Sequence, residues 1–247
     1  MTDPGGRRVL ITGGGTGVGR ALALAFAGAG AEVVVAGRRA APLDEVAASA
    51  PGIRAVAADV TDEASVRAMF DAAGPCAIVI ANAGAAASAP FTRTTLDDWN
   101  AMLGVNLTGA FLTLREGLAR IDGWGRLIAV ASTAGLKGYG YVAPYCAAKH
   151  GVVGLVRAVA QEVARSPVTA NALCPGFLDT GMTDRSVATI MDKTGKTPQD
   201  ARAALAATNP QRRLIAPSEV AAAALWLCGP GSEGINGQAI AIAGGEL

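Results

Sequence analysis

Histidine is almost missing from this chain: His150 is the single one in 247 residues. A multi-histidine metal centre is thereby excluded, and a Ser-His-Asp hydrolase would depend on that one side chain. Cysteine is sparse too. Cys76, Cys146, Cys174 and Cys228 stand far apart with no C-x-x-C pair, so neither a disulfide framework nor a zinc site is expected, and no metal site at all. Charge of one sign is lacking, since 21 Lys and Arg meet 20 Asp and Glu. A net charge of +1 provides no cation excess for a polyanion, so nucleic acid is not an expected partner. Charged residues make up only 17% and aromatic ones 4%, while apolar residues reach 51% and glycines number 32. That composition speaks against disorder and for close packing through small side chains.

Long hydrophobic runs are also lacking. Ala72 to Thr92 carries no charge and is long enough to span a bilayer. Gly74, Pro75, Asn82, Gly84 and Pro90 interrupt it, however, and only Ala77 to Ala81 is continuously apolar. A short buried strand between loops is expected there instead. The opening residues offer about four apolar positions before glycine takes over, too few for a signal-peptide core. Asn106-Leu107-Thr108 fits the N-glycosylation pattern, which has no meaning without secretion. A cytoplasmic protein with no membrane partner is the expectation.

What is present is alternation. Short apolar runs predict strands at Arg8–Thr12, Glu32–Ala36, Ile53–Ala57, Cys76–Ala81, Arg126–Ala131, Val168–Leu173 and Gln238–Ala243. Helix-period segments fall between them, at Gly17–Gly28, Leu43–Ala50, Asp62–Ala72, Leu96–Ile121, Pro144–Arg165 and Ser218–Cys228. Crossover-length connections imply a doubly wound α/β fold, a parallel seven-stranded sheet with helices on both faces. No repeat, linker or composition break divides residues 1–247, so a single domain is expected. The stretch 177–217 contains no convincing strand and two short helices, Thr183–Met191 and Pro198–Ala207. An excursion of that length is more often functional than idle, and a substrate lid is expected.

The first strand runs directly into Gly13-Gly14-Gly15-Thr16-Gly17-Val18-Gly19 and then a helix. Strand, glycine turn and helix N-terminus together make an anion site, because free N–H groups and the helix dipole face a phosphate. No G-x-G-x-x-G register closes here. Gly14 to Gly19 spaces like a P-loop, but Arg20-Ala21 stands where Lys-Ser/Thr is required, so a nucleoside triphosphatase is unsupported. Further along, Tyr145 and Lys149 stand at i, i+4 and share one helix face, with Ser132 thirteen residues upstream just past a strand.

The T-G-x-x-x-G-x-G pattern of Thr12, Gly13, Gly17 and Gly19 resembles the short-chain dehydrogenase/reductase family. So do Asp59-Val60 after the third strand, Asn82-Ala83-Gly84 after the fourth, Asn106, Ser132, the Tyr145/Lys149 pair, and Pro175-Gly176 after the sixth. Ala81 stands where the family more often has a further Asn before Asn82. The resemblance covers nearly the whole chain. It implies a Rossmann-type fold and a ketone/secondary-alcohol oxidoreductase dependent on NAD(P)(H), with Asn106, Ser132, Tyr145 and Lys149 catalytic. It also implies cofactor contacts from Gly13, Thr16, Gly17, Val18, Gly19, Arg38, Asp59, Val60, Asn82, Ala83, Gly84, Tyr145, Lys149, Pro175, Gly176, Leu178 and Thr180.

In this resemblance Tyr145 donates the proton, Ser132 hydrogen-bonds the carbonyl oxygen, Lys149 also holds the ribose, and Asn106 positions a water in a relay. A phenol acting as acid and base near neutrality would have to fall from a pKa of about 10 to about 7–8, and a cation beside it favours that. His150 points about 100° away from Lys149 around the helix and is read as packing or surface. No carboxylate follows the second strand, where an NAD enzyme usually holds the ribose 2′-hydroxyl. Arg38 there could pair a 2′-phosphate, which favours NADP(H), or stack on adenine with NAD(H).

The substrate walls are expected from 85–91, 136–141 and the lid, whose Ala, Leu, Tyr, Phe and Met suit a mostly apolar carbonyl or alcohol compound. The lid's slight basic excess could meet the phosphates of a CoA or acyl-carrier thioester, or be a solvated face. Around 131–154 and 171–182 the chain resembles members acting on 3-oxoacyl or polyketide substrates and on 3-hydroxyacyl thioesters. A secondary-alcohol dehydrogenase on small or aryl ketones is the alternative, and a non-catalytic nucleotide-binding scaffold a third. The resemblance implies a homotetramer or homodimer packed through Leu96–Ile121 and Pro144–Arg165, with Gly109, Ala110, Ala147 and Gly151 allowing close helix approach.

Overall fold

Seven strands form one parallel sheet in the computed structural model, which describes residues 4–247. They are β1 (Arg8–Thr12), β2 (Glu32–Gly37), β3 (Ile53–Ala57), β4 (Ile78–Ala81), β5 (Gly125–Val130), β6 (Val168–Pro175) and β7 (Ala239–Ile242). Their order across the sheet is β3-β2-β1-β4-β5-β6-β7, with every neighbour parallel. The helices are α1 (Gly17–Gly28), α2 (Ala40–Ser49), α3 (Glu63–Ala73), α4 (Leu96–Leu103), α5 (Gly109–Leu118), α6 (Ala143–Val163), α7 (Gly181–Thr194), α8 (Pro198–Ala206) and α9 (Pro217–Cys228).

Strand alternation divides the core into two layers. Leu10, Val34, Val79 and Leu127 face Val66, Met69 and Phe70 of α3, Leu112 and Leu114 of α5, and Val152 and Val156 of α6. Val9, Ile11, Val33, Val35, Ile78 and Ile80 face Leu22 and Phe26 of α1, Leu43 and Val46 of α2, and Val220 and Leu227 of α9. Each fully buried Leu, Ile or Phe contributes about 1.5–3 kcal/mol, so the positive hydropathy belongs to a sheet covered on both faces. Local signals set the helix starts. The Asp62 carboxylate accepts the N–H groups of Ala64 and Ser65 at 2.7 and 3.2 Å, Thr95 and Asp98 form a capping box, and Pro217 opens α9. Ala72 to Thr92 covers the end of α3, the buried β4 and the loop beyond it. Among the described residues no helix is long and apolar enough to cross a membrane.

One expectation needs correction. The segment Leu96–Ile121 is not one regular helix: Gly104–Thr108 forms a wider turn between α4 and α5, with the Gly109 N–H donating to the Gly104 carbonyl. Such turns are inserted where a side chain must be re-aimed, and this one carries Asn106. Gly109 and Gly151 pack closely within the chain. A Cβ on Gly109 would lie 2.7 Å from Val60, and one on Gly151 2.8 Å from Leu107.

The connections run in opposite directions from β1 and β4, which leaves a crevice at the carboxyl ends of these strands. Over that end lies the 177–217 excursion. Its two ends meet: the Asp179 N–H donates to the Ile215 carbonyl and the Ile215 N–H to that of Phe177, both at 2.9 Å. α7 and α8 lie between them, α7 longer than the sequence suggested.

Candidate active site

A cavity of about 690 Å³ opens at the crevice. Thr12, next to the lining residue Gly13, is buried beneath it. The Thr12 hydroxyl accepts the N–H groups of Asn82 and Ala83 at 3.1 and 3.2 Å. The Asn82 amide donates back to the carbonyls of Thr12 and Gly13 at 2.9 and 3.2 Å. These four bonds staple β1 to β4 where their connections diverge. Gly13 turns the chain with φ +65°, and a Cβ there would lie 2.8 Å from the Ala83 Cα. α1 then begins with Thr16 at its N-cap, no side-chain cap bond and no acid in the first turn. Its leading N–H groups and positive dipole end are left for a ligand, and this uncapped turn fits a dinucleotide pyrophosphate.

At one end of the cavity are Arg38 and Arg39, past β2, and Asp59 past β3. The Asp59 carboxylate accepts the Thr61 N–H at 2.9 Å and the Thr61 hydroxyl at 2.8 Å. These bonds, aided by the nearby Arg38 charge, hold it below the usual carboxylate range.

At the other end are Ser132, Tyr145 and Lys149. Ser132 ends the stretch after β5, and its hydroxyl accepts the Ala134 N–H at 3.1 Å. Lys149, 4% exposed, donates to the Val130 carbonyl at 2.8 Å, and its ammonium sits 5.6 Å from the Tyr145 ring centre. Burial pulls the Lys149 pKa down to about 8. Burial also raises the Tyr145 phenol above its ordinary value, with the Ser132 hydroxyl against it working the other way. This is opposite to the fall that the acid–base role was expected to need, because desolvation outweighs the hydrogen bond from Ser132. Asn106 is 1% exposed. Its amide donates to the carbonyls of Ala85 and Met102 at 2.9 and 3.1 Å, and its oxygen accepts the Ala85 N–H at 3.3 Å. The side chain is thus committed to holding the backbone beyond Gly84. His150 is exposed, donates to the Cys146 carbonyl at 2.9 Å and does not line the cavity.

Every site residue singled out from the sequence lines this one cavity, including Val18, Val60, Ala83, Pro175, Gly176, Leu178 and Thr180. The expected substrate walls are only partly there. From 85–91 just Ala85 and Ala86 reach the cavity, and from the lid only residues 177–186. Most of the lid's cations lie outside it, Arg202 paired with Asp179 and Asp184 and Arg213 with Glu219. What sequence reasoning missed is the polar backing of the wall. Tyr139 meets Thr133 at 2.7 Å and Glu246, next to the chain's end, at 2.5 Å. The one signal was the pair Gly244-Gly245, a turn that sends the chain back after the last strand.

Comparison with known proteins agrees with this geometry. Residues 7–190 match the short chain dehydrogenase family model. D-beta-hydroxybutyrate dehydrogenase of Cupriavidus necator is 34% identical over 94% of this chain and 94% of its own. The 3-oxoacyl-acyl-carrier-protein reductase MabA of Mycobacterium bovis is 34% identical over 97% of this chain and 92% of its own. Among solved structures, a variant of actinorhodin polyketide ketoreductase with NADPH superposes with a TM-score of 0.89 at 32% identity, covering 97% of both chains. With its glycine turn, strand-end motifs and Ser, Tyr and Lys around one cavity, the chain belongs to the short-chain dehydrogenase family and is an NAD(P)-dependent oxidoreductase acting on CH–OH groups.

Proposed function

We propose that this enzyme interconverts a 3-oxoacyl thioester and its 3-hydroxyacyl product, using NADP(H) ahead of NAD(H). The observation that carries the reading is the placement of Ser132, Tyr145 and Lys149 in one cavity with the uncapped glycine turn. When bound, the nicotinamide supplies or takes the hydride; the remaining work falls to this chain. Tyr145 gives its proton to the carbonyl oxygen, and Ser132 hydrogen-bonds and orients that oxygen. The raised pKa keeps the Tyr145 phenol protonated at neutral pH, the state a proton donor needs for reduction. Lys149, fixed by the Val130 carbonyl, holds its ammonium beside the Tyr145 ring and would hold the nicotinamide ribose. Asn106 acts by holding the Gly84–Ala86 floor.

For the thioester, support comes from the similarity to a 3-oxoacyl-acyl-carrier-protein reductase and a polyketide ketoreductase. Arg185 lines the cavity, is exposed, and has no acidic partner among the described residues, which leaves it for a carrier-arm phosphate. NADP(H) is supported by Arg38 and Arg39 on the wall past β2, with no acid on that turn. Residues 177–217 serve as the lid. The exposed Leu96 of α4 and Phe111 of α5 support assembly as a homotetramer or homodimer through that face. A second reading, a dehydrogenase of small or aryl ketones, is favoured by the edge-on aromatic pair Tyr139–Phe177 at the wall.

One experiment tests these together: kcat/KM for acetoacetyl-CoA and for an aryl ketone, each with NADPH and NADH, in wild type and Tyr145→Phe. Thioester turnover with NADPH preferred is the expected result, with a loss in Tyr145→Phe of at least about 100-fold and cofactor binding retained. Turnover of the ketone alone moves the assignment to the second reading. An NADH preference of about tenfold, 1.4 kcal/mol, overturns the cofactor choice.

A further inference from the structure

We propose that Glu246 is a positioning residue for the substrate wall, tying the chain's end to Tyr139 and fixing which way that hydroxyl is turned. The proposal rests on the reading of this cavity as a ketone site. After β7, Gly244 and Gly245 reverse the chain, and the Glu246 N–H donates to the Ala243 carbonyl at 3.2 Å. The turn is wedged against the exit of the lid: a Cβ on Gly244 would lie 2.0 Å from the Asn209 side-chain oxygen. From there the Glu246 side chain, 2% exposed, runs behind the wall. Its Oε1 lies 2.5 Å from the Tyr139 hydroxyl and 3.0 Å from the Lys137 ammonium.

A carboxylate only accepts hydrogen bonds, so the single phenolic hydrogen of Tyr139 goes to Glu246. The Tyr139 oxygen is then left to accept from the Thr133 hydroxyl, 2.7 Å away, and Thr133 adjoins Ser132. Tyr139 and Thr133 both line the cavity, and the Tyr139 ring meets Phe177 edge-on at 6.3 Å. The tail therefore reaches the Ser132 turn through two hydrogen bonds, and the first lid residue through one ring contact. The second carboxylate oxygen, Oε2, is buried near Gly176, with no hydrogen-bond partner among the described residues.

The test uses Glu246→Ala, Glu246→Gln, Tyr139→Phe and the Glu246→Ala/Tyr139→Phe double variant with the ketone that wild type reduces. Glu246→Ala should raise KM by about tenfold while kcat stays within about threefold, the pattern of lost positioning rather than lost chemistry. Reduced-cofactor affinity, read from its fluorescence, should not change. Glu246→Gln should recover most of the loss, since its amide oxygen still accepts from Tyr139. The double variant should be no worse than the worse single one. An unchanged KM, a cofactor affinity that falls alongside it, a Gln variant as impaired as Ala, or additive single effects overturns the proposal. The same variants' melting temperatures read the contact without turnover: the double variant should melt where the worse single one does. If wild type reduces no ketone, the reading of the cavity fails, while additive melting shifts would separately sink the Glu246–Tyr139 link.

Discussion

The two halves of the cavity are built by different means. On the cofactor side, Thr12, Gly13 and Asn82 are joined by short bonds between adjacent strand ends, mostly backbone to side chain. On the substrate side, Thr133, Tyr139, Phe177 and Glu246 come from three segments far apart in the chain and meet through side chains alone. Strand register fixes the first kind of contact, whereas the second depends on where loops end. A fold of this kind can thus keep its cofactor turn while its substrate wall is remade by a few side-chain changes.

The largest effect should follow from touching the cofactor half. A Cβ on Gly19 would lie 2.1 Å from the Gly13 carbonyl oxygen and 2.8 Å from the Asn82 amide nitrogen. Neither atom is the free end of a flexible chain, so Gly19→Ala must shift the turn or break the staple. We expect a rise of about 100-fold in reduced-cofactor Kd and a destabilisation of about 1–3 kcal/mol, by titration calorimetry and denaturant unfolding. Wild-type affinity in Gly19→Ala would show that the cofactor half is no more rigid than the other.

The same division explains what could be read from the sequence. The seven strands were legible because buried parallel strands such as Val33–Val35 and Ile78–Ile80 are continuous apolar runs with β-branched side chains. The gathering of the strand-end motifs around one cavity was legible because it is local: each motif sits at a strand's carboxyl end, so placing the strand places the motif. The turn at Gly104–Thr108 was not, since its side-chain pattern passes for a regular helix and only the hydrogen bonding differs. Nor was the direction of the Tyr145 shift, which depends on solvent exclusion by residues from several segments. Glu246 escaped notice because nothing near it in sequence shows that the tail folds back onto Tyr139.

Lys149, where the halves meet, provides the intermediate effect. Its pKa is about 8 in the folded protein, below the ordinary lysine value, so between about 8 and 10 the unfolded chain binds the extra proton. Stability from this group therefore rises with pH across that window, and its destabilising contribution is fully present below pH 8. The buried thiols of Cys76, Cys174 and Cys228, all raised by burial, act in the opposite direction as the unfolded chain loses their protons. Comparing wild type with Lys149→Met cancels that common contribution. The unfolding free energy of wild type should gain on Lys149→Met by about 1–3 kcal/mol from pH 7.5 to pH 10, in urea titrations at a series of pH values. A difference that is flat with pH would mean the ammonium is solvated in the cavity.

The smallest effect is expected in the lid. Arg202 of α8 is bonded to Asp179 ahead of α7 and, at 3.2 Å, to Asp184 within it, so it braces the excursion across its width. All three side chains are at least 40% exposed, and such pairs are worth little because water and salt screen them. The ends of the lid are joined independently, by the backbone bonds between Phe177, Asp179 and Ile215. Arg202→Ala should therefore lower stability by less than about 1 kcal/mol and leave kcat/KM within about threefold, with faster protease cleavage between residues 187 and 206 as the main change. A loss of kcat/KM as large as that from Gly19→Ala would abolish the contrast between the halves, because an exposed ion pair would then control the substrate side as tightly as the strand-end bonds hold the cofactor turn.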